Sequence, residues 1–357
     1  MRFFSLILIG LGSVHQAFAQ LLLDKRDALA RRYDLAFRVV GAADSRGAVV
    51  QDDGLDLAAL LAHKAAGQSV TTFPGGNPLP DARTLAQTAT YDLLLEASPV
   101  NLTDGEPALS CVRAALTQGK AAVLANKAPL ALDFTGLHAL AEAHGAGLAF
   151  SATVCGGLPV INVGRRDLVA ADIHRVEGIF NSTSNYILTR MAAGESYEEA
   201  LAEAQRRGLA ETDPSLDVDG WDTANKLVII ANAVLGLSIR LEDVRVKGIR
   251  GVTKAQIARA RTEGQMVRLI ATAEKSESGW RLDVRPQSVP MNSFLGGVDL
   301  WEMGVVFHTD IFEDIYLKID ERGPMATAAA MLRDAVHLGC VPTFWQDLRE
   351  VASNASF

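Results

Sequence analysis

The residues best suited to chemistry lie near the middle of the chain, where several acids surround one lysine. After the segment 208–214 come Asp217, Asp219, Asp222 and Lys226. Asp222 and Lys226 are four residues apart, so in a helix both side chains project from the same face. The apolar run at 227–231 predicts that this helix is buried, and burying charge is expensive. A polar substrate is one reason to bury such a pair.

An exposed helix start is the competing interpretation of this cluster. The helix dipole favours acids in a first turn, and an acid paired with a lysine four residues later is common on helix surfaces. The two interpretations predict different environments. A surface pair lies in bulk solvent, whereas a pair that serves a substrate lies in a cleft.

Length and composition restrict the class of protein. A chain of 357 residues predicts two domains, or one with a large insertion, and 49% apolar with 21% charged residues is normal for a globular protein. The net charge of -8 argues against nucleic acid as a main partner. The three cysteines, at positions 111, 155 and 340, show no disulfide or zinc spacing, which favours a reducing, cytoplasmic compartment.

The first 19 residues allow two interpretations. One positive charge, an apolar stretch and a small-x-small sequence at 17–19 are typical of a signal peptide, which would imply a secreted binding protein. Two glycines, His15 and Gln16 interrupt the apolar stretch, so we favour a buried strand, a glycine turn and a helix. Nothing else approaches the ~20 apolar residues of a membrane span, so no membrane contact is expected.

The first 150 residues alternate apolar runs with helical stretches. Predicted strands cover 3–9, 37–43, 91–97, 121–125 and 148–154, and predicted helices cover 13–32, 56–65, 106–118 and 133–144. Strands that alternate with helices predict a parallel sheet covered on both faces. Residues 1–150 are therefore predicted to form an α/β, doubly wound, Rossmann-type dinucleotide-binding domain.

The pattern changes in the second part of the chain. Helices are predicted at 184–193, 197–207 and 220–235, and strands at 267–274, 280–289, 305–312 and 314–320. This order predicts an α+β domain over 151–322 with an open mixed or antiparallel sheet. Residues 323–357 form a third segment, whose helix at 324–337 is predicted to pack back on the first domain.

A glycine turn follows the first predicted strand. Gly10 and Gly12 precede a helix that begins at Ser13-Val14, which is the context of a dinucleotide-binding turn. Pyrophosphate then binds backbone amides at the helix N-terminus. The third position of the pattern is His15 rather than glycine or alanine, so a plain strand-to-helix turn stays an alternative. We expect His15 on the helix surface near the cofactor.

Further cofactor contacts are expected where later strands end. Asp44 ends the second strand, where an acid binds the ribose hydroxyls of NAD. Ser45 and Arg46 follow, and a hydroxyl with a guanidinium suits the 2′-phosphate of NADP, so the choice between the two cofactors stays open. Ala97-Ser98 and Asn126-Lys127 end two other strands, at the edge where such sheets bind ligands.

Short blocks over most of the chain match one enzyme family in the same order. They are Gly10-Leu11-Gly12, Ala125-Asn126-Lys127, 152–161, 178–188, 208–213, Gly220-Trp221-Asp222 with Lys226, and Gly297-Val298-Asp299 ahead of 305–307. Together they make the chain resemble homoserine dehydrogenase in its short form, without a regulatory domain. Each block is weak alone, and their shared order argues against coincidence.

The resemblance implies a reaction. The family reduces L-aspartate 4-semialdehyde to L-homoserine by reversible hydride transfer from NAD(P)H, on the branch to threonine, methionine and isoleucine. By resemblance, Lys226 and Asp222 lie beside the reacting carbon, and Lys226, together with Lys127, is the candidate proton donor to the forming alkoxide. Lysine suits this role because its pKa moves readily on burial.

The resemblance also implies substrate contacts and an assembly. The substrate contacts are expected from Glu211 and Asp217 at the ammonium group, and from Asp213, Gly178 and Thr183. The segment around Thr183 alternatively caps the helix that follows. The family implies a small-molecule substrate and a homodimer built through the sheet of the second domain.

Three departures from the family pattern affect the cofactor and cation sites. His15 replaces the third glycine, and residues 321–327 are shorter than the family's loop before the last helix. Ser151 stands where the family often has a glutamate that binds a monovalent cation. The backbone carbonyls of Val154, Gly156 and Leu158 remain candidate ligands, and the missing carboxylate argues against a bound cation.

Three functions therefore stay open. The first is homoserine dehydrogenase. The second is a related oxidoreductase that acts on another small amino or hydroxy acid, and the third is a non-catalytic binding or regulatory homologue. The presence of Lys226, Asp222 and Glu211 together argues against the third.

Overall fold

The chain divides into two compact units. The computed structural model describes residues 1–340, so residues 341–357 of the predicted third segment lie outside the described part. Among the described residues, the first unit comprises Met1–Gly157 together with the chain from Gly323 to Cys340, and the second comprises Leu158–Arg322.

The first unit alternates strands and helices along most of its length. Its strands are β1 (Arg2–Ile9), β2 (Leu35–Asp44), β3 (Gly47–Val50), β4 (Asn77–Leu79), β5 (Leu93–Glu96), β6 (Ala121–Leu124) and β7 (Leu148–Ala149). Its helices up to this point are α1 (Ser13–Tyr33), α2 (Leu57–Ala65), α3 (Ala82–Thr88), α4 (Ala108–Thr117) and α5 (Ala128–Ala143).

These strands form one sheet in the order β4-β3-β2-β1-β5-β6-β7. β1 pairs in parallel with β2 on one side and with β5 on the other, and β6 and β7 continue the parallel part. β3 and β4 extend the sheet in antiparallel fashion beyond β2. The predicted doubly wound, Rossmann-type fold is confirmed, and the short antiparallel extension is an addition that the sequence pattern does not predict.

The strand β1 lies at the centre of this sheet. Its residues 6–9 are completely buried, which explains why the sequence begins with an apolar run. This is the strand of the favoured interpretation of the first 19 residues. The strand order reverses between β1 and β5, and the crevice at such a reversal, outside the carboxyl ends of the strands, is where doubly wound sheets bind ligands.

The second unit combines helices with a mixed sheet. Its helices are α6 (Val160–Asn162), α7 (Ser182–Ala192), α8 (Tyr197–Arg206), α9 (Ser215–Val218), α10 (Trp221–Val234) and α11 (Lys254–Thr262). Its strands are β8 (Ile173–Ile179), β9 (Val244–Val246), β10 (Gln265–Ser276), β11 (Gly279–Pro290), β12 (Glu302–Thr309) and β13 (Asp314–Asp320). They run in the order β13-β12-β8-β10-β11-β9, and every pair is antiparallel except β11 with β9.

The last described helix, α12 (Pro324–Cys340), belongs to the first unit. It packs on α1 and contacts β2, β6 and β7. Ala328, Met331 and Ala335 are completely buried in the hydrophobic core that surrounds β1. The helix therefore completes one face of the first sheet.

Several predicted elements differ in extent. The predicted strand at 148–154 is limited to Leu148–Ala149, because the chain turns at Ser151–Thr153. The predicted helix at 133–144 begins earlier, at Ala128, and Asp133 interrupts it with a non-helical backbone. No helix within residues 1–340 combines the length and the apolar character that crossing a lipid bilayer requires.

Candidate active site

The acidic cluster of the second unit is buried around one lysine. The Nζ atom of Lys226 lies 2.8 Å from Oδ2 of Asp222, one turn earlier in α10, and donates a 2.7 Å hydrogen bond to the carbonyl oxygen of Phe180. The two side chains are only 15% and 6% exposed. The exposed-helix interpretation is therefore wrong, because a partly dry environment holds both charges.

Asn181 links this ion pair to a second carboxylate. Its amide nitrogen donates to Oδ1 of Asp217 at 2.7 Å and to Oδ2 of Asp222 at 2.8 Å. Its amide oxygen accepts a 2.8 Å hydrogen bond from the backbone N–H of Ser184 and so caps α7. The expected cap is thus present, and Asn181 in addition joins two acids. Its orientation is fixed, because a flipped amide would aim its oxygen at two carboxylates.

Local structure explains how these groups meet. The strand β8 ends at Ile179 and delivers the Phe180 carbonyl and the Asn181 side chain to the cluster. Gly220 adopts a positive φ of 87° just before α10 and lets the chain turn from α9 into that helix. Residues 227–231 of α10 are buried, which anchors the helix and holds its first turns in place.

The other predicted substrate residues occupy different environments. Glu211 is exposed, and no hydrogen bond or ion pair joins its side chain to the cluster among the residues described. Asp213 accepts hydrogen bonds from Ser215, and the Thr183 hydroxyl donates to the Leu209 carbonyl at 3.0 Å. Gly178 lies inside β8, where a Cβ atom would come within 2.4 Å of the Gly304 carbonyl oxygen. Packing thus explains that glycine.

The glycine turn of the first unit opens a long helix. Gly10 has a φ of +84°, and a Cβ atom there would lie 2.5 Å from Cα of Ser98, so only glycine fits. A Cβ atom on Gly12 would meet nothing within 4 Å, and Ser13 beside it is exposed. The start of the helix α1, at the carboxyl end of β1, therefore has open space beside Gly12 and Ser13, which fits a dinucleotide pyrophosphate.

The neighbouring strand ends add buried polar groups to this edge. The Ser98 N–H and hydroxyl both donate to the carboxyl group of Glu96. Asn126 reaches back to the Ser98 hydroxyl at 3.5 Å and accepts a 2.9 Å hydrogen bond from the Ala128 N–H. Lys127 precedes α5 and is buried, with 8% of its surface exposed. Three of the four predicted residues at 97–98 and 126–127 are thus buried polar groups.

Comparisons with known proteins identify the family of the chain. Residues 159–336 match the homoserine dehydrogenase family model, and residues 10–116 match the model for glutamate, leucine, phenylalanine and valine dehydrogenases. The homoserine dehydrogenase of Methanocaldococcus jannaschii is 35% identical over 334 residues, which cover 93% of this chain and 98% of that protein. The chain belongs to the homoserine dehydrogenase family.

Two further relatives of this family concern the cofactor. The NAD(+)-dependent homoserine dehydrogenase of Pseudomonas canavaninivorans is 32% identical over 337 residues, 94% of this chain and 96% of that protein. A hyperthermophilic archaeal homoserine dehydrogenase in complex with NADPH has a TM-score of 0.83 and 25% identity, covering 96% of this chain and 99% of that one. The prediction of the family and of its cofactor class is confirmed: the chain is an NAD(P)-dependent oxidoreductase of amino-acid biosynthesis.

His15, the first departure from the family pattern, does not lie on the helix surface. Its side chain is completely buried, and its Nδ1 atom lies 3.0 Å from the carbonyl oxygen of Gly10. Burial lowers the pKa of His15 to about 4, against the opposing effect of the Gly10 carbonyl. The expectation of a surface histidine is wrong. A neutral imidazole instead supports the glycine turn from inside the protein.

The carboxylate of Asp44, predicted to bind ribose, is already surrounded by donors. Lys64 Nζ lies 2.7 Å from Oδ2, and the Ser69 hydroxyl and the N–H groups of Val70 and Arg46 also donate to the carboxylate. Burial favours the protonated form of Asp44, but the hydrogen bond from Lys64 and the backbone donors outweigh it, so the pKa lies below its usual range. Ser45 and the Arg46 side chain are exposed beside it.

The residues around position 151 do not fit the family's cation site. Ser151 donates to Asp334 at 2.6 Å and accepts from Arg333, so the nearby carboxylate is engaged within the protein. The Leu158 carbonyl accepts a 2.8 Å hydrogen bond from the Val160 N–H. No cluster of three or more His, Cys, Asp or Glu side chains suited to a metal occurs in the described part of the chain. No chemical step is therefore assigned to a cation.

The contacts of two residues at these sites were not predicted from the sequence. Asn181 meets carboxylates 36 and 41 residues away, and no local pattern announces those contacts. Glu96 ends a buried strand as the single acid of the run Leu93–Glu96. An acid inside an apolar strand is the signal that could have identified it, since buried carboxyl groups are rare unless they have a role.

Proposed function

We propose that this protein interconverts L-homoserine and L-aspartate 4-semialdehyde with NAD(P), in the cytoplasm. The observation that supports the proposal most strongly is the buried network of Asp217, Asn181, Asp222 and Lys226. A substrate that carries an ammonium group and a reacting hydroxyl needs carboxylates and one mobile proton. This network contains both.

Lys226 is the group that we assign to proton transfer. In the direction of reduction, its ammonium donates a proton to the carbonyl oxygen as that oxygen becomes an alkoxide, and in oxidation the neutral amine takes the hydroxyl proton. Asp222 and the Phe180 carbonyl hold Nζ in one position by contacts of 2.8 and 2.7 Å. The bound cofactor supplies or accepts the hydride. Lys127 is the alternative donor, and the lysine variants below separate the two.

Asp217 is the carboxylate that we assign to the substrate ammonium group. It is partly exposed, and Asn181 fixes it next to the ion pair of α10. We keep Glu211 as a second acceptor and Asp213, Thr183 and Gly178 as residues around the substrate, by their match to the family pattern. Exposure of Glu211 supports a role that needs the side chain to reach a ligand rather than a neighbour.

The cofactor is proposed to bind at Gly10, Gly12 and Ser13-Val14, with Ser98 and Asn126 on the adjoining strand ends. The chain is further proposed to accept NADP. The Asp44 carboxylate is neutralised by Lys64, while the Arg46 guanidinium is exposed beside Ser45. A paired carboxylate repels a 2′-phosphate less than a free one, and an exposed guanidinium can bind it.

A homodimer through the second unit's sheet is the proposed assembly. Ile311, Phe312 and Tyr316 near the β12–β13 hairpin are 60%, 43% and 50% exposed, and clustered exposed apolar side chains mark interaction surfaces. The free thiol of Cys111 is buried, which suits the reducing compartment of the proposal.

The activity is tested with purified full-length protein, L-homoserine and NAD or NADP, by following the absorbance of the reduced nicotinamide. Turnover is expected with homoserine. Cofactor binding without turnover would instead favour the alternative substrate, another small amino or hydroxy acid. Absence of binding by either dinucleotide would favour a non-catalytic homologue and contradict the proposal.

Lysine variants test the assignment of the proton donor. Lys226→Ala should lower kcat by at least about 100-fold, the usual contribution of a general acid, with cofactor affinity unchanged. Lys127→Ala is compared in the same assay. Lys254→Ala, at an exposed lysine of α11, is the matched control and should keep full activity. Near-normal kcat in the first variant with a large loss in the second would transfer the role to Lys127.

A further inference from the structure

Glu96 is a buried acid that the proposed mechanism does not use. It ends β5 next to Ile9 of β1 and Leu124 of β6, and none of its surface is exposed. Its Oε1 atom accepts a 2.9 Å hydrogen bond from the Ser98 N–H and a second bond from the Ser98 hydroxyl. Its Oε2 atom is buried and has no hydrogen-bond partner within residues 1–340.

The contact with Ser98 connects this acid to the glycine turn. The backbone of Ser98 lies so close to Gly10 that a Cβ atom on the glycine would come within 2.5 Å of Ser98 Cα. The glycine turn therefore packs directly against the backbone of Ser98, and Glu96 holds Ser98 in place by two hydrogen bonds. A change in the charge of Glu96 occurs directly beneath the turn.

Two titratable groups of the first unit, Cys111 on α4 and His15 on α1, are uncharged near neutrality. Burial raises the pKa of Glu96 to about 7, although the donors on Ser98 and Asn126 counteract it. Burial also raises the pKa of the Cys111 thiol on α4 to about 12 and lowers that of His15 on α1 to about 4. Lys127, at the start of α5, is the cation that follows β6 in the chain. Among Glu96, Cys111 and His15, Glu96 is the group that changes charge near neutral pH.

We propose that Glu96 is a positioning residue for the cofactor, whose neutral carboxyl group holds Ser98 against the Gly10 turn and whose ionisation weakens dinucleotide binding. The inference rests on the proposed binding of NAD(P) at this turn. An ionised carboxylate places a buried negative charge beneath the backbone amides that bind the negative pyrophosphate. The two negative charges repel each other, and burial leaves this repulsion little screened. Binding then favours the protonated acid, so it takes up a proton when Glu96 is ionised beforehand.

The test measures the dissociation constants of NAD and NADP by titration calorimetry. The pH runs from about 6 to about 8.5, which brackets the raised pKa of Glu96. For the unmodified protein, Kd should rise at least about fivefold across this range, the lower end of typical coupling between two sites. Calorimetry in two buffers of different ionisation heat should show proton uptake on binding at the alkaline end. Glu96→Gln is neutral at every pH and has the same shape, so its Kd should stay constant and its proton uptake should vanish.

A matched control and a second variant keep the outcome decisive. Glu106→Gln changes a partly exposed acid of the same unit, paired with Arg83, and should keep the pH dependence of the unmodified protein. Ser98→Ala removes a donor that stabilises the ionised carboxyl, so the midpoint of the Kd change should move to higher pH. An identical pH dependence in Glu96→Gln and the unmodified protein overturns the inference and leaves the cofactor site standing. Failure of the unmodified protein to bind dinucleotide at any pH overturns both.

Discussion

Replacing Asn181 by aspartate tests whether one amide holds the acidic cluster together. The variant keeps nearly the same shape and keeps the cap of α7, because aspartate and asparagine are equally good at an N-cap. It removes both hydrogen bonds from the amide nitrogen to Asp217 and Asp222, of 2.7 and 2.8 Å. It also places a third carboxylate against two others.

The expected loss of stability follows from those two contacts. Hydrogen bonds to charged groups contribute about 1.5 to 3 kcal/mol each, so losing both costs about 3 to 6 kcal/mol while all three acids are ionised. Like charges at this distance raise the pKa of one carboxyl group above its value in the unfolded chain. The cost is therefore largest above that raised pKa and shrinks as the pH falls through it, because the protonated acid again supplies a donor.

Urea unfolding at about pH 5.5 and about pH 8 measures this difference, on either side of a raised carboxyl pKa. Asn181→Ser is the control, since it keeps an oxygen for the cap without adding charge, and its cost should be nearly the same at both pH values. A cost below about 1 kcal/mol for Asn181→Asp, the size of a typical neutral hydrogen bond, would refute the reasoning. An equal cost at both pH values would refute it as well.

Three further predictions concern a histidine, an arginine and an exposed apolar residue. The hydrogen bond to Glu177 raises the pKa of His308; burial opposes this shift and Asp314 adds to it. Protonated His308 therefore stabilises the fold fully below the pKa of the unfolded chain, and this stabilisation is lost as the pH rises through the raised pKa. His308→Gln should lower the urea midpoint more at about pH 6 than at about pH 9. Arg46→Ala should raise KM for NADP by about tenfold or more and leave KM for NAD unchanged, which steady-state kinetics will show. Ile311→Glu should convert the proposed dimer to monomer in light scattering, and an unchanged mass would contradict the proposed interface.

Local patterns were sufficient for the central elements of the first unit. The apolar run of β1 and the glycines after it specify a buried strand, a turn and a helix through neighbours in sequence alone. β8 has no such signal, since it carries His174, Arg175 and Glu177 between apolar residues. Those side chains pair with residues on other strands, as Glu177 does with His308, and such pairing depends on the folded sheet.

The same distinction separates predictable from unpredictable parts of the sites. The Lys226–Asp222 pair follows from spacing on one helix, and the structure shows that pair at 2.8 Å. The burial of His15 and the engagement of Asp44 by Lys64 depend on packing between elements, which spacing does not report. The sequence could therefore identify candidate residues but not which polar atoms were already occupied.

The two regions proposed to bind ligands differ in how they hold charged groups, and their proposed ligands explain the difference. Beneath the glycine turn, burial shifts the pKa values of His15 and Glu96 in the directions that keep both groups neutral, so an anionic pyrophosphate meets backbone dipoles without a competing fixed charge. Around α10, the fold retains a buried ion pair and joins a second carboxylate to it through Asn181. A substrate with its own ammonium group gains from fixed carboxylates, and the lysine must keep a proton to give. A charged carboxylate beneath the glycine turn would oppose the pyrophosphate, and ionisation of Glu96 creates this condition.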